Sequence, residues 1–261
     1  MRKKDNIKIL KIGGSVITDK SVGKIEVAKI QEINRIAEEI ANSNTKGLIL
    51  IHGAGSFGHP YVKKYKLDKI QDLKGISKTH LGCKKLNLIF CSILLEKKIN
   101  ALPLDPISFF KINNNEFKFD YAFILKMLEK GFVPVLHGDM IYNQKLDIFE
   151  VISGDRIIYE LAKELKPGRI GFAVDKEVII NGKPIKEINN SNFYDILSKV
   201  GHATGKDDVT GGMKEKVRFA AKISNFSEVF IFSGTVKGNI TRFLNGERVG
   251  TSIKIKDLKV I

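Results

Sequence analysis

No stretch of this sequence approaches the ~18 to 20 consecutive apolar residues of a membrane span. The basic start Met1-Arg2-Lys3-Lys4 would suit a secretory leader, but Lys8 and Lys11 interrupt the apolar run a leader needs. The expectation is therefore a soluble cytoplasmic protein with no membrane partner. Cysteine is scarce: Cys83 and Cys91 are the only two, which excludes a disulfide framework and the paired spacing of a zinc site. Both fall in a helical pattern and read as buried free thiols. No metal ligand set held by the protein is expected. Acidic residues are short as well, 29 against 44 basic ones, for a net charge of +15. Such a surplus suits an anionic partner. Yet the lysines come as scattered pairs such as Lys63-Lys64 and Lys97-Lys98, without interleaved aromatics or a nucleic-acid-binding signature. They read as solvated faces, and no nucleic-acid partner is expected.

What is present is enough to bury a large core: 261 residues, 43% of them hydrophobic. Short β-branched runs at 7–12, 47–51, 132–136, 170–174 and 229–232 alternate with helical patterns. The helical patterns span 25–41, 81–95, 121–129, 155–165, 193–200 and 213–224. That alternation predicts a mostly parallel sheet covered on both faces. Two polar stretches with aromatic insertions, 107–120 and 140–152, read as β-hairpins added beside it. Lys166-Pro167-Gly168 is the best lobe boundary, dividing residues 1–166 from 167–261 of one compact domain.

In an open parallel sheet, ligands bind beyond the carboxyl ends of the strands. Glycines cluster there: Gly13-Gly14-Ser15, then Gly53-Ala54-Gly55-Ser56-Phe57-Gly58-His59, then His137-Gly138-Asp139, then Ser233-Gly234-Thr235. Glycine lets a backbone approach a ligand closely and turn N–H groups toward phosphate oxygens. Gly53-x-Gly55-x-x-Gly58 matches a dinucleotide fingerprint, but Lys63 to Lys74 holds no strand to carry the required acid, so that reading fails. Gly201 to Asp207 fails as a nucleotide P-loop, with one residue too few between its glycines and no Ser or Thr after Lys206. Lys11 lies inside an apolar strand, where a charge is costly unless used. Asp155 opens a helix behind Ser153, a natural cap. His52, His80, His137 and His202 read as structural, while His59 closes a glycine loop at a strand end.

Lys11-Ile12-Gly13-Gly14-Ser15, the second glycine loop, Ser153-Gly154-Asp155 and Thr210-Gly211-Gly212-Met213 with Lys216 together resemble the amino acid kinase superfamily along essentially the whole chain. Within it, Asp19-Lys20 and Ser56-Phe57-Gly58-His59 are most similar to isopentenyl phosphate kinases. The resemblance implies a three-layer α/β/α sandwich with a mostly parallel central sheet and β-hairpins in the N-terminal lobe. That lobe would bind the acceptor and the C-terminal lobe ATP. It implies catalytic roles for Lys11, Lys20, His59, Asp155 and Lys216, and ATP contacts from Lys11, Gly13, Gly14, Ser15, Gly55, Asp175, Gly212 and Lys216. The acceptor, isopentenyl phosphate, would meet Ala54, Gly55, His59, Gly138, Asp139 and Gly154. Mg²⁺ would be held mainly by the nucleotide's phosphates, and a homodimer is implied.

Phosphoryl transfer needs positioning and charge neutralisation, which lysines, glycine amides and Mg²⁺ supply. A phosphate acceptor is already an anionic nucleophile, so no general base is needed. Met127, Phe109, Phe110, Phe117, Phe119 and Tyr121 are candidates for an apolar slot around a prenyl tail. A kinase of acetylglutamate, carbamate or a phosphonate is the alternative on the same fold. From other classes come a small-molecule sensor and a nucleic-acid-binding module; a sensor would have no need to keep Lys11, Lys20, Asp155 and Lys216 together.

Overall fold

The computed structural model describes residues 6–114, 116–200 and 212–256. The chain opens with β1 (Lys8–Ile12), a single turn α1 (Gly14–Ile17), α2 (Ile30–Ser43), β2 (Leu48–His52), α3 (Gly55–Tyr65) and α4 (Leu73–Glu96). It continues through β3 (Ala101–Pro103), α5 (Pro106–Phe109), β4 (Lys111–Asn113), β5 (Glu116–Lys118), α6 (Tyr121–Glu129), β6 (Val133–His137), β7 (Asp139–Asn143) and β8 (Ile148–Ile152). Then come α7 (Gly154–Leu165), β9 (Arg169–Val174), the two-residue strands β10 (Ile179–Ile180) and β11 (Lys183–Pro184), β12 (Glu187–Asn189) and α8 (Phe193–Lys199). Last are α9 (Gly212–Ile223), β13 (Glu228–Ser233), α10 (Asn239–Leu244) and β14 (Thr251–Lys254).

Eight strands form the main sheet in the order β12-β14-β13-β9-β1-β2-β6-β3. Every neighbouring pair is parallel except β13 with β14. The five expected strands are all present. β2 and β9 are buried at every position, as strands covered on both faces must be. Alternate residues serve opposite layers. Ile9, Ile51 and Phe172 pack with Ile157, Ile158 and Leu161 of α7 and Val217 and Ala220 of α9. Leu10, Leu50 and Phe232 pack with Ile33 and Ile36 of α2, Leu86 and Phe90 of α4 and Phe243 of α10. Each such buried side chain contributes ~1.5–3 kcal/mol. The result is the expected α/β/α sandwich.

β1 pairs residue for residue with β9, Lys8 to Arg169 through Ile12 to Ala173, so one sheet runs across the 166/167 boundary. Both hairpins exist, β4 with β5 and β7 with β8. The sequence does not disclose that β4 also pairs with β7, joining them into one four-stranded sheet.

The helix expected from residue 25 starts at Ile30, because Ala28 instead bridges to Thr18 in extended conformation. The helix expected at 81–95 begins earlier, at Leu73, where the Asp72 side chain caps it by accepting from the Gly75 N–H at 2.5 Å. The second glycine loop is shorter than expected: α3 starts at Gly55, so His59 rides on its second turn. Pro60 within α3 has no N–H for the Ser56 carbonyl, and the Glu26 N–H takes that acceptor at 3.0 Å. His202, the tested stretch Gly201 to Asp207, and Thr210-Gly211 lie outside the described residues.

Candidate active site

The parallel strands β9, β1, β2 and β6 end along one edge of the sheet, and the glycine turns meet there. A Cβ on Gly14 would lie 2.6 Å from the Gly55 nitrogen, and one on Gly53 would lie 2.7 Å from the Gly14 nitrogen. The turns after β1 and β2 are thus packed backbone against backbone, which only glycine permits. Gly138 brings in the turn after β6, its missing Cβ facing Ile152 O at 3.3 Å and Gly154 N at 3.6 Å. Gly13 donates to Ala173 O at 2.8 Å, and Gly234 to Val174 O at 2.6 Å, which ties in the ends of β9 and β13. Helices α3 and α7 both begin at this edge with a glycine, and their N-termini favour anions.

Gly55 has φ +51, and a Cβ there would fall 2.1 Å from Thr18 Oγ1. The space a side chain would take there is filled by Thr18, so this glycine serves the packing of the two turns and any ligand contact from Gly55 is through its backbone. Thr18, fully buried, is the reason: its hydroxyl donates to Gly14 O at 2.7 Å and accepts from Ser56 N at 3.0 Å, stapling one turn to the other. Sequence reasoning missed Thr18. Its signal was a hydroxyl four residues after Gly14, in reach of that carbonyl across one helical turn.

Lys11 shares the β1 face of Ile9, the face covered by α7 and α9, and those helices supply its partners. Its Nζ lies 2.6 Å from Asp155 Oδ1, at the start of α7. Lys216 Nζ, one turn into α9, lies 3.6 Å from Asp155 Oδ2. Ser153 caps α7 by accepting from Arg156 N at 3.2 Å, which fixes the turn that presents Asp155. A Cβ on Gly154 would come within 3.1 Å of Lys11 Cε, so this glycine makes room for the lysine stem. Burial pulls the Lys11 ammonium down to about 8. Asp155 opposes that fall, while Lys216 and Lys20 add to it by repulsion. Burial pushes the Asp155 carboxyl up, but Lys11 and Lys216 outweigh it and hold it below its ordinary range. Two cations on one buried carboxylate leave a net positive locus suited to a polyanion.

The remaining expected residues are more dispersed. Lys20 is exposed, close enough to repel Lys11. Ser15 accepts through its carbonyl from Lys29 Nζ at 2.9 Å. Ala54 precedes α3, and His59 is half-buried on that helix. Gly212 opens α9 with φ +61. Asp175 follows β9, exposed, and its carbonyl accepts from Ser233 Oγ at 3.4 Å, which puts it on the β9–β13 side. The Asp139 carboxylate is fully buried and accepts from His80 Nδ1 at 2.9 Å, which leaves its backbone to meet an acceptor. That contact, ahead of the opposing effect of burial, raises the His80 imidazole. His52 and His137 are structural as expected, buried and stacked with centroids 5.5 Å apart. Phe109, Phe110, Phe117 and Phe119 cluster with one another, and Tyr121 packs against Phe119. Phe109, Phe110 and Phe119 line a cavity of about 530 Å³ that reaches Tyr142 on β7.

Arg35 and Glu39 of α2 form a further support that the sequence did not disclose. Glu39 Oε2 accepts from Ile240 N at 3.0 Å at the start of α10, and Arg35 donates to Gly234 O at 2.5 Å.

The sequence profile of the Amino acid kinase family matches residues 6–233. The chain is 37% identical to isopentenyl phosphate kinase of Methanocaldococcus jannaschii, over 95% of this chain and 99% of that protein. It is 34% identical to the isopentenyl phosphate kinase of Methanothermobacter thermautotrophicus, over 94% and 98%. A crystal structure of an isopentenyl phosphate kinase superposes with a TM-score of 0.78 at 30% identity, covering 94% of this chain and 98% of its own.

Proposed function

The chain belongs to the amino acid kinase family, and from that premise we propose that it transfers the γ-phosphoryl group of ATP to isopentenyl phosphate, giving isopentenyl diphosphate and ADP for isoprenoid biosynthesis. The observation that carries this reading is Lys11 and Lys216 sharing buried Asp155 at the edge where the glycine turns converge. An oxygen of the acceptor phosphate attacks the γ-phosphorus, one P–O bond forms, and the bond to the β-phosphate oxygen breaks to release ADP. Charge spreads over the equatorial oxygens of the migrating group. Lys11 and Lys216 neutralise it, and Asp155 holds both ammonium groups in place without themselves or itself exchanging a proton. Helix α3, with the turns at Gly14 and Gly53, offers backbone amides. Gly212 and Asp175, on the α9 and β9–β13 side, take the nucleotide. His59, one turn into α3, grips the acceptor phosphate as a charge-assisted donor. Lys20, exposed at the mouth, meets the migrating group.

The nucleotide would bring Mg²⁺ on its own phosphates, which lowers their charge. The donor set agrees to this extent, that Asp155 is already engaged by two lysines. The reading is tested by ADP release with isopentenyl phosphate, acetylglutamate, carbamate and fosfomycin offered in parallel. Isopentenyl phosphate should be preferred in kcat/KM by 10² or more, on the scale a charge-assisted donor supplies. A higher value with a carboxylate or carbamate acceptor would assign the fold a different substrate.

A further inference from the structure

Behind the β6–β7 turn lies a second set of side chains that phosphoryl transfer does not use. Among the described residues, one group of His, Cys, Asp and Glu side chains is arranged closely enough to hold a metal ion. It consists of Cys83 on α4, His137 at the end of β6 and Asp139 at the start of β7, each offering a ligand atom within 4.8 Å of the others. Cys83 and His137 are 0% exposed and Asp139 2%. Among the described residues Asp139 Oδ1 has no hydrogen-bond partner, and His137 Nε2 has only the Asp105 carboxylate, whose Oδ1 lies 3.6 Å away. Their companions are satisfied, Asp139 Oδ2 by His80 at 2.9 Å and His137 Nδ1 by Gly138 O at 3.1 Å. A buried acceptor left without a donor is costly, and here that atom, Asp139 Oδ1, belongs to a carboxylate grouped with a buried imidazole and thiol.

We propose that Cys83, His137 and Asp139 form a site for one divalent cation of the zinc class, joining α4 to the turn that carries Gly138. Thiol, imidazole and carboxylate together are a donor set that zinc accepts, and sulfur turns the choice away from Mg²⁺. Zinc bonds of ~2.0–2.3 Å would draw the three ligand atoms closer together than the 4.8 Å within which they lie. On binding, the Cys83 S–H bond is replaced by a sulfur–metal bond and the proton passes to solvent. His80, already donating to Asp139, would orient the carboxylate from outside the ligand set, as partners of metal ligands commonly do. The site is separate from the Mg²⁺ that travels with ATP. Its ligands are 54 and 56 positions from Cys83 along the chain, which is why no local spacing announces it.

The test is Co²⁺ titration of the full, tag-free chain without nucleotide, reading the thiolate-to-cobalt charge-transfer absorption and the bound metal after gel filtration. The expected result is one Co²⁺ per chain with the charge-transfer band, displaced by Zn²⁺. Cys91→Ser should keep the band and Cys83→Ser should lose it, with affinity reduced tenfold or more. Because the chain has two cysteines, a band that survives in Cys91→Ser is assigned to Cys83 even if Cys83→Ser fails to fold. Absence of bound metal in the wild type, binding without a thiolate band, or loss of the band in Cys91→Ser would overturn the proposal. The ADP-release assay with isopentenyl phosphate is independent of this outcome.

Discussion

At the scale of single residues, Lys11 carries the clearest consequences. Lys11→Ala and Lys216→Ala should each lower kcat/KM by roughly 10² or more, since each removes charge facing the transferring phosphate, while circular dichroism stays native. Near-wild-type turnover in both would remove the site from where we place it. Lys11 is held down to about 8 by burial, so in the free enzyme it loses its charge as pH rises through that value. The rate constant kcat/KM for ATP should then fall across this range, and a flat profile would contradict the role. Stability follows the opposite sign. Between about 8 and the ordinary 10.5, the unfolded chain holds the proton that the folded one has lost, so the contribution of Lys11 to folding improves as pH rises through that window. For His59, efficiency with isopentenyl phosphate should fall in the order wild type, His59→Gln, His59→Ala, by about 10² for alanine, with ATP affinity unchanged. Equal rates would end its assignment as the phosphate grip. Lys11 was legible because a charge inside an apolar strand is locally improbable, whereas Asp155, an ordinary acid at a helix start, and Lys216 were pointed to by the family resemblance. Thr18 was not legible, because beside its local bond to Gly14 O the one that makes it a staple, from Ser56 N, forms only when turns far apart in sequence meet.

At the scale of elements, the junction of the β1 and β2 turns decides whether the site assembles. Thr18→Val keeps the shape but leaves the Ser56 N–H without its partner, while the Gly14 carbonyl keeps only the Thr18 N–H at 2.9 Å, at a cost of ~1–3 kcal/mol for a buried group left unpaired. Differential scanning calorimetry should show the lowered transition, and an unchanged melt would mean the staple is idle. Gly55→Val should be worse and should lose folded protein as well as turnover, since its Cβ would strike Thr18. A well-folded Gly55→Val that has lost only ATP binding would show that the position is kept as glycine for the nucleotide rather than for the packing against Thr18. Strand and helix identities were readable from apolar periodicity, and α6 matches its expected span, Tyr121–Glu129. Boundaries were less so where tertiary contacts chose them, as at Ala28, drawn to Thr18, and at Asp72, whose capping side chain lengthened α4. The four-stranded second sheet escaped notice because β4 and β7 are brought together only by folding.

At the scale of the whole molecule, one continuous sheet sets the distances between acceptor and nucleotide sides. β1 lies between β2 and β9, so under the proposed function Lys11 on β1 would stand where the two sides meet, with the turn after each neighbouring strand delivering one substrate's contacts. The +15 charge favours the approach of anionic substrates through the field of the whole protein. The central claim is that this meeting point joins two phosphates. It is tested most directly by ³¹P NMR of the chain with ATP, Mg²⁺ and isopentenyl phosphate. The account predicts that the phosphate monoester resonance disappears as a pair of coupled diphosphate resonances grows in equal amount to ADP, and that Lys11→Ala slows this by about 10² or more. ADP accompanied by inorganic phosphate, with the monoester signal intact, would contradict it.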